Sequence, residues 1–280
     1  MKLLYPFAKR FIAGHDFESA KPKIRKLMED GYEVSIDYLG ESTKTVDDAL
    51  DAVNQYINII KFYKDSKIDI SIKPTQVGLL IDKNLCFGFL KAVVSEAKEH
   101  GHTVRLDMED SSVTSDTIDI CIRLKRLYSN IGVAIQANLI RSEEDLDRLI
   151  KNNVSVRLVK GAYLEDEGVA LQKDLDIEVF FFAHAAHLYS EKAYNPAIAT
   201  HDEELLENIR ELIPDPDYFD YEFLYGIRRD LQRKFLLENE NRVRIYVPFG
   251  EQWFPYTLRR LRELKNLKFV MVNVLKEWLK

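Results

Sequence analysis

The chain has 280 residues, of which 46% are hydrophobic, so it is long enough to bury a large core. Its formal net charge of -6 gives no broad basic surface, which argues against nucleic acid as a partner. Cys86 and Cys121 are its two cysteines and they form no CxxC pair, so the sequence supports neither a disulfide framework nor a metal site, and it fits a reducing cytoplasm.

Targeting signals are not recognisable in the sequence. Residues 1–7 lack the apolar run and the small-residue cleavage site of a secretory signal, and the chain contains no run of about 18 apolar residues. We therefore expect a cytoplasmic protein that does not span a membrane. Peripheral contact with the inner membrane is compatible with this composition.

Short runs rich in β-branched residues alternate with charged segments of helical periodicity. The predicted strands are Glu33–Tyr38, 69–73, 103–108, 132–137, 155–160, 197–200, 221–224 and 243–248. The predicted helices are 45–65, 83–100, 114–129, 142–152, 176–191, 203–213, 228–239 and 254–264. This alternation predicts an α/β fold, a (βα)8 TIM-like barrel, in preference to an open doubly wound sheet with about five or six strands.

The sequence predicts one domain over residues 1–280. Residues 1–32 read as a helical N-terminal arm, residues 33–264 as the barrel, and residues 265–280 as a C-terminal tail. No low-complexity linker, internal repeat or long block of like charge divides the chain.

Polar residues recur where the predicted strands end, and a (βα)8 barrel has its active site at the carboxyl ends of its strands. In chain order they are Asp37, Glu41, Lys73, Gln76, Asp107, Glu109, Gln136, Asn138, Arg157, Lys160, Thr200, His201, Asp202, Glu222, Tyr225 and Tyr246. Each one alone also fits ordinary loop solvation. Some of them interrupt otherwise apolar strands, namely Lys73, Asp107, Gln136 and Arg157. An unpaired charge buried there costs several kcal/mol, so we expect these side chains to have partners.

Two adjacent arginines, Arg259 and Arg260, follow the last predicted strand on a predicted helix. An arginine fork holds a small carboxylate through two parallel hydrogen bonds, so this pair predicts a substrate with an acid group. Residues 258–262 taken alone also fit the solvated face of a cationic helix.

Six segments together resemble the proline dehydrogenase family. They are SIKPTQ at 71–76, RLDMED at 105–110, RLVKGAY at 157–163, ATHD at 199–202, FLYGIR at 223–228, and YVPFG at 246–250 followed by the arginine pair. The resemblance implies a distorted (βα)8 barrel that binds FAD and oxidises L-proline to Δ1-pyrroline-5-carboxylate by hydride transfer, the first step of proline catabolism to glutamate. It also implies a quinone as electron acceptor and a separate pyrroline-5-carboxylate dehydrogenase downstream.

The family pattern assigns roles to individual residues. It places the carboxylate of proline against Lys73, Arg259 and Arg260, with Asp107 as their counter-charge and the arginine helix over the site. It walls the proline ring with Ala162, Tyr163, Leu224, Tyr246 and Tyr256. For FAD it assigns Gln136, Arg157, Lys160, Gly161, Ala162, Thr200, His201 and Glu222, with Arg157 near the reactive edge of the flavin and with Lys160 and His201 on the pyrophosphate side.

Three positions depart from the family pattern: Pro74, Asn138 and Glu222. Glu222 adds negative charge where the family commonly has glutamine. Two other readings stay open. One is an aldolase-type barrel that forms a Schiff base on Lys73 or Lys160. The other is a binding or regulatory module that keeps the flavin fold without turnover.

Overall fold

Eight strands pair side by side in chain order and close into a barrel in the computed structural model. It describes residues 8–212, 215, 218–238 and 241–266, with backbone alone at 212, 238 and 261–266. The strands are β1 (Glu33–Tyr38), β2 (Asp69–Ile72), β3 (Thr103–Leu106), β4 (Ile131–Gln136), β5 (Ser155–Val159), β6 (Ala197–Ala199), β7 (Asp220–Leu224) and β8 (Val243–Phe249). All neighbouring pairs are parallel, including β1 with β8, which closes the ring. The predicted fold class is confirmed.

Helices separate successive strands, and one further helix precedes β1. Within the described residues the α-helices are α1 (Phe17–Glu29), α2 (Val46–Phe62), α3 (Lys83–Glu99), α4 (Ser111–Lys125), α5 (Ser142–Lys151), α6 (Asp174–Ser190), α7 (Glu203–Leu212), α8 (Arg229–Arg233) and α9 (Trp253–Asn266). A 3₁₀-helix at Pro74–Val77 follows β2, and a π-helical turn at Lys234–Glu238 follows α8.

Several predicted boundaries were wrong for identifiable reasons. Helix α4 begins three residues earlier than predicted, because the Asp110 carboxylate accepts a hydrogen bond from the backbone N–H of Ser112 and caps the helix there. Strand β2 ends one residue early, because Pro74 begins a 3₁₀-helix directly after Lys73. The single helix predicted at 228–239 is instead α8 followed by the π-helical turn.

The N-terminal arm packs against the barrel. The backbone N–H of Ala13 donates to the carbonyl of Pro248 in β8 at 2.8 Å. A Cβ atom at Gly226 would lie 1.8 Å from the carbonyl oxygen of Arg10, so the close approach of the arm requires glycine there. Residues 1–7 and the predicted tail from residue 267 onward lie outside the described residues, and residues 265–266 end α9.

The barrel wall has an apolar outer face and a polar inner face. On β1, Val34 and Ile36 are buried in the apolar core, while the alternate residues Ser35 and Asp37 are buried polar. Polar residues also occur on the neighbouring strands at Asp69, Ser71, Arg105, Arg157, Glu222 and Arg244, all buried. The interior therefore holds a network of paired charges, and this network lies directly beneath the strand ends where the candidate site is found.

Candidate active site

A cavity of about 450 Å³ lies at the carboxyl ends of the strands and beneath α9. Every residue that the sequence predicted for substrate or cofactor lines it: Lys73, Asp107, Gln136, Arg157, Lys160, Gly161, Ala162, Tyr163, Thr200, His201, Glu222, Leu224, Tyr246, Tyr256, Arg259 and Arg260. The structure thus brings the predicted residues together around one space. The role assigned to each of them stays a prediction.

Lys73 lies directly after β2 and is buried, with 6% of its surface exposed. Its Nζ atom is 3.1 Å from both carboxylate oxygens of Asp37 and 3.5 Å from Asp107 Oδ2. Burial alone lowers the pKa of Lys73, but the two carboxylates outweigh burial and raise it, so the ammonium is kept charged. The sequence named Asp107 as the counter-charge. Asp107 lies within ion-pair distance of Lys73, and Asp37 is a second, closer carboxylate that the sequence did not pair with this lysine.

Asp107 also forms hydrogen bonds with two other groups, Arg157 and Tyr246. Its Oδ1 atom accepts from Arg157 Nη1 at 2.7 Å, and its Oδ2 atom accepts from the hydroxyl of Tyr246 at 2.7 Å. Burial raises the pKa of Asp107, yet Lys73 and Arg157 outweigh burial and lower it. Asp107 is therefore a buried, ionised carboxylate that fixes a tyrosine and an arginine at the floor of the cavity.

Arg157 lies on β5 between two carboxylates. Its Nη2 atom is 2.8 Å from Glu222 Oε1 on β7 and donates to Ser71 Oγ at 2.8 Å. Its guanidinium carbon lies 5.4 Å from the centre of the Tyr246 ring. Glu222 is 2% exposed, and burial raises its pKa although Arg157, Arg244 and Arg105 oppose this. The carboxylate of Glu222 therefore forms a direct ion pair with Arg157.

Backbone groups line the side of the cavity after β5. The side-chain oxygen of Gln136 accepts from the N–H of Ala162 at 3.2 Å, and its amide nitrogen donates to the carbonyl of Glu109 at 2.9 Å. Gly161 has a φ of +122°, and a Cβ atom there would lie 2.1 Å from Asn138 Oδ1. Only glycine fits at this position, so no side chain of residue 161 covers the backbone where it borders the cavity.

Lys160 and His201 lie near each other at the end of the cavity that the sequence assigned to a pyrophosphate. Lys160 Nζ is 2.8 Å from Asp202 and 3.0 Å from Glu178. His201 Nε2 accepts the N–H of Leu224 at 3.0 Å, so its proton is on Nδ1. Burial, together with Arg260 and Arg228, lowers the pKa of His201 to about 3. His201 is therefore a neutral donor, and the cations at this end are Lys160 and Arg260.

The arginine helix α9 lies over the cavity, as predicted. Arg259 forms a two-pronged pair with Glu41, with Nη1 to Oε1 at 2.9 Å and Nη2 to Oε2 at 3.0 Å. The guanidinium of Arg259 also lies 5.7 Å from the centre of the Tyr163 ring, and that of Arg260 lies 5.3 Å from the Tyr256 ring. Burial lowers the pKa of Arg259, but Glu41 outweighs burial and raises it.

The sequence placed Asp37 and Glu41 in the polar ring but gave neither a partner. Both lie on or after β1, which the closed barrel places beside β2 and β8. The signal that identifies their partners was therefore present in the predicted barrel order. An acid after β1 lies next to the helix that follows β8, and an acid on β1 lies next to the lysine after β2.

Apolar and aromatic groups close the cavity on the side of α9. Tyr246 and Tyr256 belong to a small buried cluster with Phe11 and Ile12 of the N-terminal arm, and Leu224 packs against it. The arm therefore supports the tyrosines from outside. The result is a space with charged and polar groups along its floor and wall and with tyrosine rings on the side of α9.

Comparison with known proteins supports the family resemblance that the sequence motifs indicated. The sequence profile of the proline dehydrogenase family matches residues 20–271. Proline dehydrogenase 2 of Bacillus subtilis (strain 168) is 33% identical over 277 residues, which cover 96% of this chain and 91% of that protein. Proline dehydrogenase of Deinococcus radiodurans is 32% identical over 286 residues, with 98% and 91% covered.

A solved structure shares the fold. It is proline utilization A (PutA) from Bdellovibrio bacteriovorus inactivated by N-propargylglycine, with a TM-score of 0.86 and 23% identity. The match covers 93% of this chain and 33% of that one, so the chain spans about a third of the length of this PutA. With the family profile matched over most of the chain and relatives matched over nearly their whole length, the chain belongs to the proline dehydrogenase family.

Proposed function

We propose that this chain is an FAD-dependent enzyme that oxidises L-proline to Δ1-pyrroline-5-carboxylate. The observation that carries the proposal is the cavity beneath α9, where Lys73, Arg259 and Arg260 border the same space as Tyr163, Tyr246, Tyr256 and Leu224. A small cyclic amino acid has the matching shape, with one carboxylate and an apolar ring.

Lys73, Arg259 and Arg260 form a cationic end of the cavity that can bind an anion. Lys73 and Arg259 are both kept charged by carboxylates, and each is largely buried. Hydrogen bonds to charged groups contribute about 1.5–3 kcal/mol each, more than neutral ones. A substrate carboxylate placed here therefore gains affinity and a fixed orientation, which sets the face of the ring that points towards Arg157.

The residues present also fit a flavin. A volume of about 450 Å³ falls within the range of about 300–1,000 Å³ that accommodates drug-sized ligands, so it exceeds the space needed for one proline. Gly161 leaves bare backbone at the cavity, and Lys160 supplies a cation for a phosphate. Arg157 Nε is a buried donor without a hydrogen-bond partner among the described residues. Gln136, Thr200 and His201 add polar groups along the same wall.

Bound FAD would supply the acceptor for the hydride that leaves C5 of proline. The protein's residues position the reactants and hold charge. Arg157, kept protonated by Asp107 and Glu222, fixes a cation at the cavity floor, and Tyr246 is held in place by its bond to Asp107. The tyrosines and α9 cover one side of the space proposed for the ring. Hydride can leave C5 only when the amine is neutral, so the proline ammonium first loses one proton to solvent, and the protonated imine that forms releases its remaining proton afterwards.

The resemblance to the proline dehydrogenase family suggests the partners of the proposed reaction. We propose a quinone as the acceptor of the electrons and a separate dehydrogenase for the pyrroline-5-carboxylate product. No helix in the described part of the chain is long and apolar enough to cross a bilayer. A cytoplasmic location with peripheral contact at the inner membrane is part of this proposal.

The aldolase-type alternative is disfavoured by the surroundings of both lysines. Schiff-base formation needs a neutral amine, which enzymes obtain by lowering the pKa of the lysine. The pKa of Lys73 is raised instead, and Lys160 is engaged by two carboxylates. The non-catalytic alternative is disfavoured because all the cations and tyrosines that the family pattern assigns to substrate binding line the cavity.

A spectrum and a titration test the proposal. The purified protein should show the yellow absorption of bound flavin, and L-proline added without oxygen should bleach it. A flavin that L-proline leaves oxidised would contradict the substrate assignment. A colourless protein that gains no flavin spectrum after incubation with FAD would contradict the cofactor assignment.

A further inference from the structure

A buried carboxylate next to the candidate site has no part in the chemistry proposed so far. Glu109 lies two residues after Asp107 and is 4% exposed. Its Oε2 atom accepts the N–H of Thr75 at 3.0 Å, and its Oε1 atom accepts the hydroxyl of Thr75 at 2.5 Å. Both oxygens of one carboxylate are thus used to hold a single threonine.

Thr75 in turn holds the segment after β1. Its hydroxyl accepts the N–H of Ser42 at 2.8 Å, and its carbonyl accepts the N–H and the hydroxyl of Thr43 at 3.1 and 3.0 Å. Ser42 has a φ of +54°, a left-handed conformation that is uncommon for serine. A backbone in this conformation persists where neighbouring groups fix it, and here Thr75 supplies those contacts.

Glu41 immediately precedes Ser42, and its carboxylate pairs with both Nη atoms of Arg259. A continuous series of hydrogen bonds therefore runs from Glu109 through Thr75 to the backbone of Ser42. Glu41, the residue before Ser42, extends this series to Arg259, which borders the cavity.

We propose that Glu109 is a positioning residue for substrate binding: through Thr75 it holds the segment that carries Glu41 and so sets the orientation of Arg259, and protonation of Glu109 loosens this hold. The inference rests on the proposed function, because it takes Arg259 as a contact of the substrate carboxylate.

Protonation reverses the direction of the central hydrogen bond. With Glu109 ionised, the Thr75 hydroxyl donates to the carboxylate and accepts from Ser42, so the bonds follow one another in one direction. A protonated carboxyl donates its own O–H to Thr75 Oγ1. The threonine hydroxyl then loses its charged acceptor, and the bond from Ser42 weakens because Thr75 Oγ1 is no longer polarised by donating to a carboxylate.

The surroundings of Glu109 place this change near pH 6. Burial raises the pKa of Glu109 to about 6, although the bonds from Thr75 and the charge of Lys73 oppose it. The other titratable groups that face it are Glu41, Tyr163 and Cys86. The pKa values of Lys73, Tyr163 and Cys86 are all raised, that of Cys86 to about 12, so these three keep their charge state between about pH 5 and pH 8.

The test measures the Kd of tetrahydrofuran-2-carboxylate by calorimetry on the full-length, flavin-loaded protein. This ligand keeps the carboxylate of proline and has no amine to titrate. The wild type should bind it about three- to tenfold more weakly at pH 5 than at pH 7.5, the change expected for the loss of one hydrogen bond. Glu109→Gln, which mimics the protonated carboxyl, should give the weak value at both pH values.

Paired variants separate positioning from general damage. Thr75→Ser keeps the hydroxyl and should behave as the wild type, whereas Thr75→Val removes it and should lose the pH dependence. Glu99→Gln, at an exposed acid that ends α3, is the matched control and should change nothing. A Kd in Glu109→Gln that equals the wild-type value, or that keeps its pH dependence, would overturn the proposal.

Hydrogen exchange provides a readout that does not depend on the substrate. After correction for intrinsic rates, amides in residues 41–45 should exchange faster at pH 5 than at pH 7.5 in the wild type and fast at both in Glu109→Gln. If the exchange rates in residues 41–45 do not differ between pH 5 and pH 7.5 in the wild type, or between the wild type and Glu109→Gln at pH 7.5, the role of Glu109 is refuted. If the wild type binds no analogue at any pH but shows this exchange pattern, the proposed function fails and the positioning of the segment stands.

Discussion

Replacement of Asp107 by alanine removes a carboxylate that serves three buried partners at once. The side chain accepts from Arg157 and Tyr246 at 2.7 Å and lies 3.5 Å from Lys73. Breaking a buried ion pair by removing one partner costs about 3–5 kcal/mol. Arg157 keeps Glu222, and Lys73 keeps Asp37, so the lower end of the range, about 3 kcal/mol, is expected.

The assay is unfolding of the purified variant, followed by circular dichroism with heat and with urea. For a chain somewhat longer than 250 residues, about 2–4 °C of Tm is lost per kcal/mol, so Asp107→Ala should unfold about 6–12 °C below the wild type. Asp107→Asn should lose less, because it still accepts from Tyr246. Proline turnover should fall in both variants, since Tyr246 and Lys73 lose a fixed position.

The pH dependence of this difference follows from the sign of the shift. The pKa of folded Asp107 is lowered, below the usual unfolded value of about 3.9. Its contribution to stability is therefore fully present above that value and is lost as pH falls through the folded pKa. The difference between wild type and Asp107→Ala should be equal at pH 6 and pH 8. If Asp107→Ala matches Asp65→Ala, at an exposed acid after α2, in both Tm and turnover, the role of Asp107 is refuted.

Arg259→Met or Arg260→Met should lower kcat/KM for proline by about one to two powers of ten, since each charged hydrogen bond contributes about 1.5–3 kcal/mol. The flavin spectrum should stay unchanged. Unchanged kinetics in either variant would show that its arginine does not contact the substrate. Arg157→Ala should lose flavin or reduce it far more slowly, while Lys91→Ala on the exposed face of α3 should behave as the wild type in the same absorbance assay. His201→Asn should leave the pH profile of turnover unshifted between about pH 5 and pH 8, because burial holds the pKa of His201 near 3 and the ring is neutral throughout; a shifted profile would show that His201 titrates there.

The fold was predictable because its signals are local and repeated. Apolar runs such as Ile131–Gln136 and charged amphipathic segments such as Ser142–Lys151 recur in strict alternation, and eight repeats leave few architectures other than the closed barrel. The same order predicted that the strand ends converge. Residues as distant in the sequence as Lys73 and Arg259 could therefore be assigned to one site before their positions were known.

The details that the sequence did not reveal depend on three-dimensional contacts. Lys73 is nearer to Asp37 than to Asp107, a difference of tenths of an ångström that side-chain placement decides. The π-helical turn at Lys234–Glu238 has the periodicity of an ordinary helix and gives no separate sequence signal. The neutral state of His201 follows from its burial beside arginines, which its sequence neighbours do not reveal.

The central claim is that this chain removes a hydride from C5 of L-proline. The most direct measurement is the rate at which L-proline bleaches the flavin of the loaded protein in a single anaerobic turnover, with deuterium placed either at C5 or at C2. We expect slower bleaching with deuterium at C5 and an unchanged rate with deuterium at C2. An isotope effect at C2 with none at C5, or no bleaching by L-proline, would contradict it.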